Sequence, residues 1–459
     1  MQLIGWRELT RNFIVCSILV TDKKIDNFDE VNYFLKFRGP DDTNFILDEV
    51  NNFSFVHNLL SITGDKTNQP FVQNGVVCLY NGEIYNYKEF GDYDSDGCCL
   101  VDLYEEFGVE FVKKLDGEFS ICLLDFTNDK IIIATDPFKT KPLFYSNTNN
   151  SFGSSTYETP LKKIGHEVIK KAKPNTAMVF KMSTSELVEE FTIVEWDLNQ
   201  TKNHFEDWNR AFELSISKRA KDASKKVFIG LSSGYDSGVI CCELMKQKIP
   251  FKAYTVHGTT EEMSVLNERH KLFDDDRFEL EHLYKSVEIR EQHRKLLKEH
   301  TERFAWTIRT TASNYTESFD LADERGSAWM SLICSNSIKE DRKIYLSGVG
   351  GDEIFSDYGF NGRRFTKHSN FGGLFPEDLT TIFPWPSFYY SSMESYIAKE
   401  EYVTGVYGVE GRYPYLDKKV VQEFLSLSHN LKNSQYKSVL DNYFVENNYK
   451  FSRGKKVGF

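Results

Sequence analysis

The feature that most constrains the fold is an apolar run that leads directly into a loop of small residues. The run at 226–229 (Lys-Val-Phe-Ile) is followed at 230–237 by Gly-Leu-Ser-Ser-Gly-Tyr-Asp-Ser and then by a helix-like segment. Small side chains let backbone N–H groups approach an anion, and a helix N-terminus adds partial positive charge. The pattern predicts a phosphate-binding loop, with a plain strand-to-helix turn as an equal alternative. No Lys follows the last Gly, so it is not the Gly-x-x-x-x-Gly-Lys loop.

A second loop of the same kind lies about a hundred residues further on. A predicted strand at 343–347 is followed by Ser-Gly-Val-Gly-Gly-Asp-Glu-Ile-Phe at 347–355. Each loop carries one aspartate, Asp236 in the first and Asp352 in the second. Carboxylates can hold Mg²⁺ while backbone amides hold phosphates, so the pair predicts a magnesium–pyrophosphate site. Each aspartate could also serve as a helix N-cap.

The pattern of predicted elements changes near residues 185–205, a polar stretch interpreted as a linker. Before it the chain reads as strands with one clear helix at 100–115, which predicts stacked antiparallel sheets. After it strands and helices alternate, which predicts a parallel sheet with ligands at the carboxyl ends of the strands. The strands are predicted at 13–20, 53–62, 75–80, 119–126, 131–134, 142–145, 227–231, 251–256 and 343–347, and the later helices at 238–248, 261–273 and 327–337.

Composition excludes several classes of function. The net charge of −12 gives no electrostatic basis for binding nucleic acid or an anionic membrane surface. Eight cysteines without a Cys-x-x-Cys spacing suggest neither a zinc site nor a disulfide scaffold. No run of about 18 apolar residues occurs, and the N-terminus carries charge too early for a signal peptide. A reducing cytoplasm is the expected location.

Several further motifs give the chain a resemblance to a known family over nearly its whole length. They are Arg-Gly-Pro-Asp at 38–41, Leu-Tyr-Asn-Gly-Glu-Ile-Tyr-Asn at 79–86, Leu-Asp-Gly-Glu-Phe at 115–119, Asp-Pro-Phe at 136–138, Lys-Pro-Leu at 141–143 and Gly-Val-Glu-Gly-Arg-Tyr-Pro-Tyr-Leu-Asp at 408–417. Together with the two loops, they make the chain resemble an asparagine synthetase.

The resemblance implies a fold and a reaction. The implied fold is an Ntn-hydrolase-like αββα sandwich at 1–195, acting as a class II glutamine amidotransferase, and an adenine-nucleotide α-hydrolase-like α/β domain with a parallel sheet at 205–459. The implied reaction makes asparagine, AMP and pyrophosphate from aspartate, ATP and either ammonia or glutamine. ATP and Mg²⁺ are the implied cofactors, the partners are small molecules, and the resemblance also admits a homodimer.

Matching positions one by one assigns roles in the second domain. The positions implied to contact ATP are Leu231, Ser232, Gly234, Asp236, Ser237, Val256, Ser347 and Gly348. Asp236 and Asp352 are the implied magnesium ligands, and Lys437 and Lys455 match two active-site lysines, whose charge would stabilise the reacting phosphates. For the C-terminal lysine, a solvated basic tail is the alternative.

One position in the second loop departs from the family. Asparagine synthetases carry an acidic residue between the two loop glycines, and here that position is Val349. Such an acid could handle the protons of incoming ammonia, which valine cannot do. Relatives that make β-lactams or cyclise lasso peptides also differ there and activate other carboxylates.

The first domain departs from the family at two positions. Cys16 matches the nucleophile, which needs a free α-amino group as its base, yet fifteen residues precede it. Two interpretations are open: the preceding residues are a cleaved leader, or Cys16 is a buried core residue. Leu59 stands where an arginine would clamp the glutamine carboxylate. Asn81 and Gly82 match the oxyanion hole, and Asp96 and Glu83 match the positions that bind glutamine. A silent or weakened glutaminase is therefore expected.

Two other functions remain open. The first is amide formation on a different carboxylate with the same fold. The second is a catalytically dead regulatory or binding homologue, against which the two intact loops argue.

Overall fold

In a computed structural model, the chain divides into two compact units. The first contains the described residues up to Val194 together with His300–Glu302 and Glu401–Glu410, and the second contains the remainder. The described residues are 16–60, 62, 66–148, 150–221, 226–258, 261–309, 314–324 and 326–455. The domain boundaries expected from the sequence, at 195 and 205, did not assign the later segments His300–Glu302 and Glu401–Glu410 to the first unit.

The first unit is built around two six-stranded antiparallel sheets. Their strand orders are β10-β8-β9-β1-β3-β2 and β12-β11-β7-β6-β5-β4. The strands are β1 Ser17–Thr21, β2 Asp42–Asp48, β3 Phe53–Leu59, β4 Phe71–Gln73, β5 Val76–Ile84, β6 Gly117–Asp125, β7 Lys130–Thr135, β8 Phe144–Thr148, β9 Ser151–Ser155, β10 Lys170–Lys171, β11 Thr176–Lys181 and β12 Glu186–Thr192. The helices are α1 Phe28–Val31, α2 Leu35–Arg38, α3 Cys99–Phe107 and α4 Glu158–Ile164.

Alternation along the strands explains how the two sheets pack. Val77 and Leu79 of β5 belong to the core between the sheets, where they meet Ile18 and Val20 of β1. Their neighbours Cys78 and Tyr80 belong to the core beneath α3 on the outer face. Successive side chains of a strand point to opposite faces, so this period-two pattern builds two apolar layers from one strand. The expected αββα sandwich is confirmed.

Three sequence-based details of this unit were wrong. The predicted helix at 100–115 stops at Phe107, because Gly108 takes φ +59° and a 3₁₀ segment follows. Helices α1, α2 and α4 were not predicted. The polar stretch from 186 was assigned to a linker, but Glu186–Thr192 forms the exposed edge strand β12, whose polar residues suit its solvent contact. Residues 13–15 of the first predicted strand lie outside the described residues.

The second unit contains a five-stranded sheet in the order β15-β14-β13-β18-β21. The β13–β14, β13–β18 and β14–β15 pairs are parallel, as expected. Its strands are β13 Lys226–Gly230, β14 Phe251–His257, β15 Phe278–Tyr284, β16 Phe304–Arg309, β17 Asn314–Phe319, β18 Arg342–Leu346, β19 Gly359–Phe360, β20 Arg363–Arg364 and β21 Glu410–Arg412. Its helices are α5 Glu206–Ala220, α6 Tyr235–Lys246, α7 Met263–His270, α8 Val287–His300, α9 Ser327–Ser337, α10 Gly351–Phe355, α11 Pro386–Tyr389, α12 Ser392–Val406, α13 Lys418–Ser426, α14 His429–Lys432 and α15 Ser438–Glu446. The last residue of α8 and residues 401–406 of α12 belong to the first unit.

Strand order brings the two glycine-rich loops together. Each loop follows the carboxyl end of its strand, β13 or β18, and these strands are neighbours in the sheet. Parallel neighbours end at the same edge, which is where open α/β sheets bind ligands. No helix in the described part of the chain is long and apolar enough to span a bilayer.

Candidate active sites

The first glycine-rich loop is held by its own hydroxyl groups. The Ser232 N–H donates to Ser237 Oγ at 3.0 Å, and the Gly234 N–H donates to Ser232 Oγ at 3.1 Å. The two hydroxyl oxygens lie 2.9 Å apart. The loop is thereby fixed in a tight turn at the N-terminus of the twelve-residue helix α6, a position suited to an anion.

Glycines allow the second loop to approach the first. A side chain at Gly348 would place its Cβ 2.8 Å from Cβ of Asp236, and one at Gly351 would lie 2.2 Å from Asp236 Oδ1. Both distances are too short for a real contact. The absence of side chains at these positions is therefore what lets Asp236 pack against the second loop.

Lys437 connects the aspartates of the two loops. Its Nζ donates to Asp236 Oδ1 at 2.6 Å and Oδ2 at 2.8 Å, and lies 2.9 Å from Asp352 Oδ1. The Tyr436 hydroxyl donates to the same Asp352 oxygen at 3.0 Å. Burial alone would lower the pKa of Lys437, but the two carboxylates outweigh it and raise that pKa well above its usual range. The two carboxylates therefore favour the charged form of this lysine.

The remaining positions expected to contact nucleotide lie along the same edge of the sheet. Leu231 follows β13, Val256 is the second-to-last residue of β14, and both side chains are buried. The Leu231 N–H donates to the Tyr254 carbonyl at 2.9 Å, which ties the start of the loop to β14. In the second loop, the Ser347 hydroxyl accepts the Val349 N–H at 3.0 Å.

Lys455 lies outside this cluster. Its side chain is 64% exposed and pairs with Glu262 at 3.2 Å. The neighbouring Arg453 pairs with Asp441 at 2.9 Å. The structure therefore brings together Asp236, Asp352 and Lys437, whereas Lys455 pairs with Glu262, whose N–H donates to Ser233 Oγ of the first loop at 2.9 Å.

In the first unit, the residues expected to form the glutamine site surround a cavity. Its lining includes Cys16, Leu59, Gly82, Glu83 and Asp96 together with Leu60, Thr67, Gln69, Phe71, Tyr80, Ser95 and Glu410. Asn81 is buried next to this lining, and its Nδ2 has no hydrogen-bond partner among the described residues. Gly82 has φ +140°, and a Cβ there would lie 1.9 Å from the Glu118 carbonyl oxygen.

The surroundings of Cys16 keep its thiol protonated. Its Sγ accepts the Leu60 N–H at 3.0 Å and lies 3.6 Å from the Leu60 carbonyl oxygen. Desolvation raises the pKa of the thiol well above its usual range, and the carboxylates of Glu410, Asp96 and Glu83 raise it further. A thiolate is the reactive form, so this environment opposes nucleophilic attack.

The cavity is acidic. Glu83, Asp96 and Glu410 are all buried, and no lysine or arginine lines the cavity in the described part of the chain. Burial raises the pKa of Asp96 to about 6, although its carboxylate accepts from the Tyr80 hydroxyl at 2.5 Å and the Ile84 N–H at 2.8 Å. Leu59 lines the cavity at the position where the family carries an arginine that binds the glutamine carboxylate. An amino group finds partners here more readily than a carboxylate does.

Comparisons with known proteins match the two units separately. Residues 14–191 match the model of a glutamine amidotransferase domain, and residues 207–381 match the model of asparagine synthase. A Methanocaldococcus jannaschii protein assigned as glutamine-hydrolysing asparagine synthetase 1 is 27% identical over 442 residues, covering 89% of this chain and 75% of that protein. Human glutamine-hydrolysing asparagine synthetase is 26% identical, with 80% of this chain and 68% of the human chain covered.

The chain belongs to the asparagine synthetase family. That family comprises glutamine-hydrolysing, ATP-dependent carbon–nitrogen ligases. Glutamine-hydrolysing asparagine synthetase 2 of Bacillus subtilis is 37% identical, over 24% of this chain and 16% of that protein. Among solved structures, a B. subtilis glutamine phosphoribosylpyrophosphate amidotransferase aligns over 47% of this chain and 60% of that chain, with 12% identity and a TM-score of 0.31, too low to support an argument.

This asparagine synthetase-family site includes residues that the sequence analysis missed. Arg269 is fully buried beneath the first loop, and its Nη1 donates to the carbonyls of Ser232 at 2.6 Å and Gly234 at 2.9 Å. The Tyr415 hydroxyl donates to the Asp236 carbonyl at 2.7 Å. Tyr415 belongs to a motif noted in the sequence, whereas Arg269 carries no local signal because its partners are more than thirty residues away.

Glu353 lies four residues after Val349 and already has structural partners. Glu353 is buried, and its Oε2 accepts the Gly350 N–H at 3.0 Å while its Oε1 accepts from the Tyr358 hydroxyl. Desolvation, followed by the charge of Asp352, raises the pKa of Glu353. Glu353 therefore closes the turn of the second loop, and it does not stand in the place of the missing acid.

Proposed function

We propose that the second unit joins a carboxylate to a nitrogen nucleophile with conversion of ATP to AMP and pyrophosphate, with asparagine formation from aspartate as the leading specific reaction. The supporting observation is that Lys437 joins Asp236 and Asp352 across two glycine-rich loops. In this reaction the carboxylate attacks the α-phosphorus and pyrophosphate leaves. Ammonia then attacks the acyl carbon and AMP leaves.

The residues present fit ATP and magnesium. Two carboxylates, with other positions left to phosphate oxygens and water, form the donor set that Mg²⁺ prefers. Among the described residues, no group of three or more His, Cys, Asp or Glu side chains is placed to hold a metal ion. Bound there by Asp236 and Asp352, magnesium would supply charge that neutralises the phosphates.

The chain's own residues would orient the nucleotide and hold its charge. Backbone amides of the first loop, with Ser232, Gly234 and Ser237, would cradle the phosphates at the N-terminus of α6. Lys437 would stabilise negative charge developing on the departing pyrophosphate. Leu231 would join the phosphate-binding loop, buried Val256 would contact the adenine, and Ser347 and Gly348 would contact the nucleotide from the second loop. Exposed Lys455 would have to leave Glu262 to take part.

Free ammonia is expected to support amide formation far better than glutamine. The thiol of Cys16 is held protonated, and the cavity offers Leu59 in place of a cation for the glutamine carboxylate. The measurement is the initial rate of aspartate- and ATP-dependent product formation with each donor, with N-terminal mass spectrometry of the same sample. Glutamine-driven turnover equal to that with ammonia, from protein that begins at Cys16, would contradict a silent glutaminase.

Val349 supports a second candidate, amide formation on another carboxylate. If the reaction is asparagine synthesis lacking one acid, Val349→Glu is expected to raise ammonia-dependent asparagine formation, because general acid–base help contributes about 10²–10⁴-fold. Val349→Gln, of similar size and without the charge, is the control. If aspartate supports no pyrophosphate exchange in any of the three proteins, the natural carboxylate is a different one. Strong wild-type turnover, unchanged by glutamate, would show that valine is no defect.

A further inference from the structure

Three of the chain's ten histidines lie together at one edge of the parallel sheet. His257 is the last residue of β14, His282 lies in β15, and His270 ends α7. Thr255 of β14 is in register with His282, so His257 and His282 lie on the same face two positions apart. Ring centroids are 4.9 Å apart for His257 and His282, and 4.8 Å apart for His270 and His282.

Two of these rings point nitrogen atoms at each other. His257 Nε2 and His282 Nδ1 are 2.7 Å apart, so in the neutral pair one nitrogen carries the proton and donates it to the other. His270 directs its Nε2 to Thr255 Oγ1 at 3.3 Å instead. Tyr284 stacks on His257, with a centroid distance of 4.9 Å and an interplanar angle of 13°. The stack and the two strands hold the facing rings in position.

The three buried histidines of the described chain lack this arrangement. His57 accepts the Gln69 N–H, His166 contacts the Thr21 hydroxyl, and His293 contacts the Ser331 hydroxyl. Each of those rings contacts a hydroxyl or a backbone N–H, and no second imidazole faces it in the described structure. The pair at 257 and 282 is different because His257 Nε2 and His282 Nδ1, two potential metal ligands, face each other.

We propose that His257 and His282 together bind one late first-row divalent transition ion, such as Ni²⁺, Cu²⁺ or Zn²⁺, through Nε2 and Nδ1. Neutral imidazole is a common ligand for these ions. Each ring must carry its proton on its other nitrogen, which for solvent-accessible rings requires only exchange with water. Ligands at about 2.1 Å in a tetrahedral arrangement stand about 3.4 Å apart, so the rings need to separate slightly. Water fills the remaining positions.

The chemistry of the pair favours the metal at neutral pH. Burial, and then the neighbouring imidazole of His257, lowers the pKa of His282. Burial and the other two imidazoles lower the pKa of His270 to about 4. Both shifts favour the neutral imidazole, which is the form that binds a metal ion. His270 therefore adds no positive charge beside the pair.

Isothermal titration of the untagged full-length protein with Ni²⁺ tests the site. We expect one ion per chain, and His257→Gln and His282→Gln should each weaken binding by at least about 100-fold, because loss of even a ligand's hydrogen-bond partner typically costs 10–100-fold. His204→Gln, an exposed histidine paired with Glu206, is the matched control and should bind as wild type does. Absence of stoichiometric binding, or wild-type affinity in both variants, would overturn the proposal.

Copper spectroscopy identifies the ligands independently. Electron paramagnetic resonance of the Cu²⁺-loaded protein should show coupling to two nitrogens, and to one in either variant.

Discussion

Replacing Lys437 by methionine is expected to reduce the rate of ATP–pyrophosphate exchange by about 10²–10³-fold, the loss typical of one preorganised electrostatic contact. The ammonium is buried between Asp236 and Asp352, at 2.6 and 2.9 Å, so the variant leaves two carboxylates facing each other. Removing one partner of a buried ion pair also costs about 3–5 kcal/mol, and the partial exposure of Asp236 places this case at the lower end.

The control for this variant is Lys432→Met. Lys432 is also a buried lysine, but it donates to Gln200 Oε1 at 2.7 Å and to the Leu425 carbonyl at 2.8 Å, away from the two loops. Burial lowers its pKa to about 7. Thermal unfolding and exchange rates of both variants separate folding from chemistry. If both variants exchange pyrophosphate at the wild-type rate, Lys437 has no role in the reaction.

Replacing Glu401 by alanine is expected to lower the free energy of unfolding of the first unit by about 3–5 kcal/mol, because it leaves a buried guanidinium without its carboxylate. Glu401 accepts from Arg38 at 2.6 Å and from Lys141 at 3.3 Å, and all three side chains are at most 1% exposed. Lys141 keeps Glu118 at 3.7 Å. The loss of stability should be measurable by urea unfolding, with hydrogen exchange of the β1 and β3 amides as the probe.

An exposed pair in the same unit provides the comparison. Lys163 and Glu30 are 3.1 Å apart, with side chains 39% and 61% exposed. Exposed ion pairs contribute about 0.2–1 kcal/mol, so Glu30→Ala should barely change stability. If Glu401→Ala lowers the free energy of unfolding no more than Glu30→Ala does, the segment Glu401–Glu410 is not needed to stabilise the first unit.

Local patterns predicted those parts of the fold that depend on neighbouring residues. The strand–loop–helix at 226–246 and the strands at 53–59 and 130–135 follow from alternation, small loop residues and turns. Strand β12 was missed because an edge strand that is mostly exposed to solvent resembles a linker in composition. The helical pattern at 100–115 did not predict that Gly108 takes a positive φ, which ends the helix.

Long-range contacts could not be predicted from spacing. Lys437 is 201 residues from Asp236, and Glu401 is 363 residues from Arg38. The resemblance suggested that Lys437 belongs near the nucleotide, yet only the structure shows it bonded to both aspartates. Spacing gave no reason to assign residues 401–410 to the first unit, because membership of a domain depends on packing rather than on order along the chain.

The most direct test of the account is ATP–pyrophosphate exchange over a panel of carboxylates that includes aspartate, comparing wild type with Asp236→Asn and Asp352→Asn. These substitutions keep the side-chain size and remove the charges that would hold magnesium. We expect carboxylate-dependent exchange in the wild type and none in either variant, with unchanged folding by circular dichroism. Exchange at the wild-type rate in both variants would contradict it.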